Sequence, residues 1–366
     1  MAEDGRQQEV LAALGTVKDP DLDKDLVTLG MIKDVQIRNG TVDFTLVLTT
    51  PADPFKNELR ESCRQALAGL PWVKEVRPNL ISQTVAGRGL GQKSGLIPGV
   101  KNVIAVASGK GGVGKSTTSV NAALALAEAG ARVGLLDADI YGPNIPLMMG
   151  LRERPPLKGD EGHIVPVTRY GIKLMSIGFF MEEDSPVVWR GPMVHGAIQQ
   201  FLRDVDWGEL DYLIVDLPPG TGDAPLSLAQ LVPMSGVVVV TTPQDVAIQD
   251  VAKGIAMFQR LEVPVIGVVE NMSYFVCGSC GAHHELFGRG GGERIAGRFG
   301  VPFLGKIPLQ PEIRFGGDEG RPFILTHPKA PESDAYRLMV GSLVRQVKVM
   351  AFASKPAAGF ISLEEL

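Results

Sequence analysis

The stretch Val103-Ile-Ala-Val-Ala-Ser-Gly-Lys-Gly-Gly-Val-Gly-Lys-Ser-Thr-Thr-Ser-Val-Asn-Ala-Ala-Leu-Ala-Leu-Ala127 decides the fold class. An apolar run suited to a strand buried on both faces comes first, then a glycine-rich loop, then an alanine-rich run of helical character. The loop, Gly109 to Ser116, fits G-x-x-x-x-G-K-[ST] in the required context, after a strand and opening a helix. Gly109, Gly111, Gly112 and Gly114 let backbone approach phosphate and accept positive φ, so that the amides around Lys110 and Val113 turn inward. The helix N-terminus adds a favourable dipole. Lys115 is expected to neutralise the β- and γ-phosphates of ATP, and Ser116 to ligate magnesium.

Outward from the loop, strand and helix patterns alternate. Arg132–Leu136, Tyr212–Val215, Gly236–Val240 and Val265–Val269 read as buried strands, with helices near Thr117–Ala129, Val194–Arg203 and Val246–Arg260. This predicts an α/β, doubly wound, mostly parallel sheet with its ligand crevice at the strand carboxyl ends. His163–Val167 and Ile172–Ile177 read as an added hairpin. Two strands end in acids. Tyr-Leu-Ile-Val-Asp216 places a carboxylate near the magnesium shell, and Leu-Leu-Asp137-Ala-Asp139 supplies two more. Asp137 and Asp139 share a face if their strand continues through them and diverge if it has ended. One is expected in the metal shell, the other beside the attacking water.

Residues 6–80 form a separate pattern, read as a smaller N-terminal α/β domain. A helix near Gln7–Leu14 precedes period-two runs Met31–Arg38 and Thr41–Leu48, split by Asn39-Gly40, a strong hairpin signal. Lys56–Ala68 has helical spacing with Leu59, Cys63 and Leu67 on one face, and Val73–Ile81 reads as a closing strand. The expected organisation is a first domain over 1–81, a Gly/Ser/Pro-containing linker over 82–99, an ATPase domain over 100–350, and a tail over 351–366.

The chain has 366 residues, 45% hydrophobic and 21% charged, with net charge −5. That balance argues against a general nucleic-acid binder. No apolar run approaches the roughly 20 residues that span a bilayer, and the start, MAEDGRQQEV, lacks a signal-peptide core. A cytoplasmic protein is the expectation. The three cysteines, Cys63, Cys277 and Cys280, make no disulfide framework. Cys277 and Cys280, at i and i+3 in a glycine-containing loop, can converge on one soft metal. Two thiolates leave a tetrahedral site half filled. Either His283 and His284 complete it for zinc, or a second chain supplies another pair, as in iron–sulfur clusters with four thiolates.

Two resemblances sharpen these readings. Lys110, directly after the first glycine, makes KGGVGKS resemble the deviant P-loop family of dimeric ATPases. The resemblance implies that Lys110 reaches the partner's nucleotide and stabilises transition-state charge. The order of DADIYGPNIPLMMG (137–150), VVWRGPM (187–193), DLPPGTGD (216–223), TTPQDVA (241–247), ENMSYFVCGSCG (270–281) and FGRGGGERIA (287–296) resembles the Mrp/ApbC iron–sulfur cluster carrier ATPases over about 100–330. That resemblance implies slow ATP hydrolysis in a homodimer. A labile 4Fe-4S cluster would be held by Cys277 and Cys280 of both chains and passed to apo iron–sulfur proteins, with cluster assembly factors as further partners. It also implies that Asp139 lies in a first switch, Gly220–Asp223 in a second, and Asn271 near the adenine. Asp19–Ile37 and Leu48–Leu59 resemble the small metal–sulfur cluster assembly domain often fused to these ATPases. Members commonly carry cysteine where this chain has Asp53, so a docking or regulatory role is expected of the module.

Overall fold

The computed structural model describes residues 2–84, 97–151, 163–180 and 191–353. Most of the proposed linker, the VVWR part of the VVWRGPM segment, and the tail from Ser354 lie outside them. The chain divides into two units, Met1–Val85 with Lys348–Leu366, and Ala86–Val347.

In the first unit, α1 (Ala2–Leu14) is followed by β1 (Ile32–Arg38), β2 (Thr41–Leu48), α2 (Lys56–Ala68) and β3 (Glu75–Ser82). The sheet order is β1-β2-β3, with β2 antiparallel to β1 and parallel to β3. Asn39 and Gly40 both take positive φ, 51° and 87°, which the tight right-twisted hairpin requires. Val42, Phe44, Leu46 and Leu48 alternate onto one face and close the core with Leu59, Cys63 and Leu67 of α2.

Among the described residues, the second unit holds a sheet of eight strands and a separate two-stranded hairpin. Its elements are β4 (Val103–Ser108), α3 (Lys115–Glu128), β5 (Val133–Asp137), β6 (Val167–Arg169), β7 (Ile172–Ser176), α4 (Gly191–Arg203), β8 (Tyr212–Asp216), α5 (Asp223–Leu231), β9 (Gly236–Thr241), α6 (Asp245–Arg260), β10 (Val265–Glu270), β11 (Phe275–Val276), β12 (His283–His284), α7 (Gly291–Phe299), β13 (Phe303–Lys306), α8 (Pro311–Glu319) and α9 (Pro331–Ala353). The large sheet runs β13-β10-β9-β4-β8-β5-β7-β6, parallel throughout except for β6 against β7. Strands β4, β5, β8 and β9 are buried along their whole length, as parallel strands covered on both faces must be. The last turns of α9, from Lys348, belong to the first unit.

One expectation needs correction. The added hairpin exists, but its first strand is Val167–Arg169 rather than His163–Val167. Pro166 has no N–H to give a ladder, and Ile164 is engaged instead in a parallel bridge to Val205. The turn is Tyr170-Gly171, both at positive φ.

Candidate functional site

The carboxyl ends of β4, β5 and β8 meet where the central strand turns into the glycine loop. Gly112 and Gly114 sit at φ 79° and 82°, and Gly114 caps α3. Close packing acts on Gly109 and again on Gly114. A Cβ at Gly109 would stand 2.5 Å from the Asp250 carbonyl carbon on α6, and one at Gly114 would overlap the Asn271 amide. Asn271 is buried and donates its Nδ2 to the Val113 carbonyl at 2.8 Å. The loop is thus held from behind by the end of β10. Ser108 Oγ bonds the Lys110 carbonyl at 2.9 Å, and the Lys110 side chain is half-buried.

Asp216 collects the hydroxyls and the ammonium of the helix start. Its Oδ2 accepts from Lys115 Nζ at 2.7 Å and Ser116 Oγ at 2.6 Å, and its Oδ1 accepts from Ser119 Oγ at 2.6 Å. Ser119 lies outside the G-x-x-x-x-G-K-[ST] pattern. One turn beyond Ser116 on the same helical face, it could have been found from that spacing. Lys115 also pairs with Asp139 at 3.4 Å.

Strand β5 ends at Asp137; Asp139, beyond it, pairs with Lys115 while Asp137 bonds Ser176. Asp137 lies in register opposite Asp216 on the neighbouring parallel strand. It is fully buried, accepting from Ser176 Oγ at 2.8 Å and from the amide nitrogens of Asp139 and Ile145. Burial first, and the Asp216 charge second, push its carboxyl up to about 8. Burial also raises Asp139, against the opposing pull of Lys115.

This donor set fits a magnesium ion. Asp216 and Asp139 pair with the one lysine ammonium, Asp137 lies beside Asp216, and among the described residues Asp139 Oδ1 is buried with no hydrogen-bond partner. A hard divalent cation takes oxygen ligands of this kind and relieves the excess negative charge. Ser116, Asp137, Asp139 and Asp216 are the side chains available to hold it directly or through water. The second loop comes into the same crevice, with Gly220 at φ 95° and its amide on the Ser108 carbonyl at 2.8 Å.

The cysteines stand apart from this carboxylate cluster, on the short hairpin β11–β12 that follows Asn271. Cys277 N bonds the Ala282 carbonyl and Gly281 N bonds the Cys277 carbonyl, with Gly281 at φ 69°. Cys277 is half-buried and Cys280 exposed. Backbone amides of Ser279 and Cys280 directed at the Cys277 sulfur hold its thiol below the usual range, favouring the thiolate that binds metal. His283 is stacked on Tyr274, with centroids 5.4 Å apart. Among the described residues, no group of three or more His, Cys, Asp or Glu side chains could hold a metal ion. One chain therefore offers a soft metal two thiols and no converging imidazole.

In the first unit, Asp53 is buried with Asp19 and Asp21 around Lys348, at 3.2, 2.6 and 3.3 Å from its ammonium. Burial opposes the lysine's charge, but the carboxylates, led by Asp53, outweigh it and hold the group above its ordinary value. Cys63 lies in the core, where burial pushes its thiol up to about 12.

Comparison with known proteins follows the same division. A family model described as NUBPL iron-transfer P-loop NTPase matches residues 99–344, and one described as iron-sulfur cluster assembly protein matches residues 7–77. The iron-sulfur cluster carrier protein of Synechocystis sp. is 49% identical, covering 93% of this chain and 98% of its own length. That of Escherichia coli K12 is 42% identical, covering 92% and 91%. A solved nucleotide-binding protein from Archaeoglobus fulgidus, in complex with ADP, is 40% identical over 65% of this chain and 92% of its own, with a TM-score of 0.56.

Proposed function

The chain belongs to the NUBPL iron-transfer P-loop NTPase family, and from that premise we propose that it is an ATP-dependent carrier of a 4Fe-4S cluster. Two copies hold the cluster between them through Cys277 and Cys280 of each, hydrolyse ATP slowly, and deliver the cluster to apo-proteins. The observation that carries the reading is the hairpin's donor set. Two thiols, one of them exposed, with no third ligand converging among the described residues, make half of a four-thiolate site. A second copy of the same half completes it by twofold symmetry.

The nucleotide role follows from the crevice. Lys115 is at present neutralised by Asp216 and Asp139. A phosphate chain entering the glycine loop competes for that ammonium, and a magnesium ion supplies the positive charge that the carboxylates then lack. We assign Ser116, Asp137 and Asp216 to the magnesium shell, Asp139 to the attacking water, and Lys110 to the partner's transferring phosphate. Asn271 is assigned to the nucleotide's base end while its amide braces the loop. No helix among the described residues is long and apolar enough to cross a membrane. Three unpaired cysteines suit a reducing compartment, so we assign the activity to the cytoplasm.

The test is anaerobic reconstitution with iron and sulfide, followed by transfer to an apo iron–sulfur enzyme. Wild-type protein should gain four iron per two chains and activate the acceptor. Cys277→Ser and Cys280→Ser should each do neither. Stoichiometric zinc with no transfer would defeat the reading.

A further inference from the structure

Glu270 is the last residue of β10 and is fully buried, yet neither nucleotide nor thiol chemistry accounts for it. Its Oε1 accepts from Ser273 Oγ at 2.5 Å and its Oε2 from Gly292 N at 2.6 Å. Its backbone carbonyl accepts from Ile307 N at 2.9 Å. One carboxylate thereby joins three things. The first is the strand end that carries Asn271 and so braces Val113 of the phosphate loop. The second is Ser273, two residues ahead of the hairpin that bears the cysteines. The third is the N-terminus of α7.

Gly291 and Gly292 are explained by close packing at the same junction. A Cβ on Gly292 would stand 2.9 Å from the Glu270 Cβ, and one on Gly291 would collide with the Pro243 carbonyl. Capping a helix needs a single acceptor at its first turn, which Oε2 supplies. The bond from Oε1 to Ser273 is surplus to that role. It is short and assisted by the carboxylate, which makes it one of the stronger kinds of hydrogen bond. Beyond Ser273, Tyr274 carries the stacked His283. A cavity of about 150 Å³ lined by Ser273, Tyr274, His283, Glu285, Arg289 and Lys306 lies beside them.

We infer that Glu270 is a positioning residue that couples occupancy of the phosphate loop to the setting of the cysteine hairpin through Ser273. Asn271 senses the loop, Glu270 fixes the strand end against α7, and Ser273 passes any displacement to Tyr274 and the hairpin. The inference rests on the proposed function only in taking the two thiols as the cargo site.

The experiment compares alkylation of Cys277 and Cys280 by iodoacetamide in cluster-free full-length protein, without nucleotide and with magnesium and ATP. In wild type the two rates should differ by about fivefold, the low end of coupling between linked sites. In Ser273→Ala the ratio should fall to near one while fluorescent-nucleotide affinity stays at the wild-type value, which also certifies the fold. Ser273→Thr should restore the ratio, and Glu270→Gln should reduce it by weakening the charge-assisted bond. A Ser273→Ala protein that keeps the wild-type ratio overturns the inference, as does a wild type with no nucleotide effect. Cluster content after anaerobic reconstitution separates this from the carrier reading. Cluster without a ratio sinks the coupling alone, whereas a ratio without cluster supports the coupling and sinks the carrier role.

Discussion

Replacing Lys348 with methionine keeps the length, apolar stem and helix propensity of the side chain and removes only its charge. In the first unit that charge faces Asp19, Asp21 and Asp53, all with fully buried side chains. Removing one partner of a buried ion pair costs about 3–5 kcal/mol. The lower end applies here, because part of each cluster remains satisfied by backbone. Asp19 Oδ1 still accepts from the amides of Asp21 and Leu22 at 3.0 and 3.1 Å, and Asp53 Oδ1 from that of Phe55 at 2.9 Å. A loss of about 3 kcal/mol is roughly a hundredfold in the local opening equilibrium. Native-state hydrogen exchange read by mass spectrometry should show protection of the Thr41–Leu48 and Glu75–Ser82 strands falling by about that factor, with the central strand Val103–Ser108 unchanged. The added mutation Asp53→Asn should recover part of the loss by removing one uncompensated carboxylate. Protection of Thr41–Leu48 within twofold of wild type would refute the claim that this ion cluster holds the unit together.

Three further outcomes follow from the second unit and from Cys63. Asp137 sits near pH 8 when folded and near 3.8 when exposed, so the folded state holds an extra proton between those values. The melting temperature of nucleotide-free protein should therefore drop as pH rises through that window, and Asp137→Asn should flatten the dependence. Gly114→Ala combines a positive φ with overlap on Asn271; strain of about 1–3 kcal/mol should weaken binding of a fluorescent nucleotide by tenfold or so. Iodoacetamide at neutral pH should label Cys277 and Cys280 in native, cluster-free protein and reach Cys63 after denaturation, because a thiol held near 12 supplies almost no thiolate.

The strand–loop–helix around Lys115 was legible because its residues answer to local rules: a fully buried parallel strand, glycines at positive φ, and a helix that opens at the lysine. The Asn39-Gly40 hairpin and the Leu59, Cys63, Leu67 face were legible for the same reason. What escaped depends on partners distant in sequence. Asp137 gains its raised titration from burial in the sheet first and from Asp216 second, its register partner across a sheet whose strand order no periodicity reports. The edge strand Phe303–Lys306 is four residues long and only partly buried, too short for a period to show. Lys348 reads as one more lysine on a long helix, since the carboxylates that bury it lie more than 290 residues earlier. Gly291 and Gly292 carried a family resemblance but no reason until Pro243 and Glu270 were placed against them.

Native mass spectrometry of anaerobically reconstituted protein tests directly whether the thiols of two chains share one inorganic centre. The expected species is two chains with a single four-iron, four-sulfur cluster, absent from the Cys277→Ser protein. A complete cluster retained by one chain, or one zinc ion per chain, would contradict it.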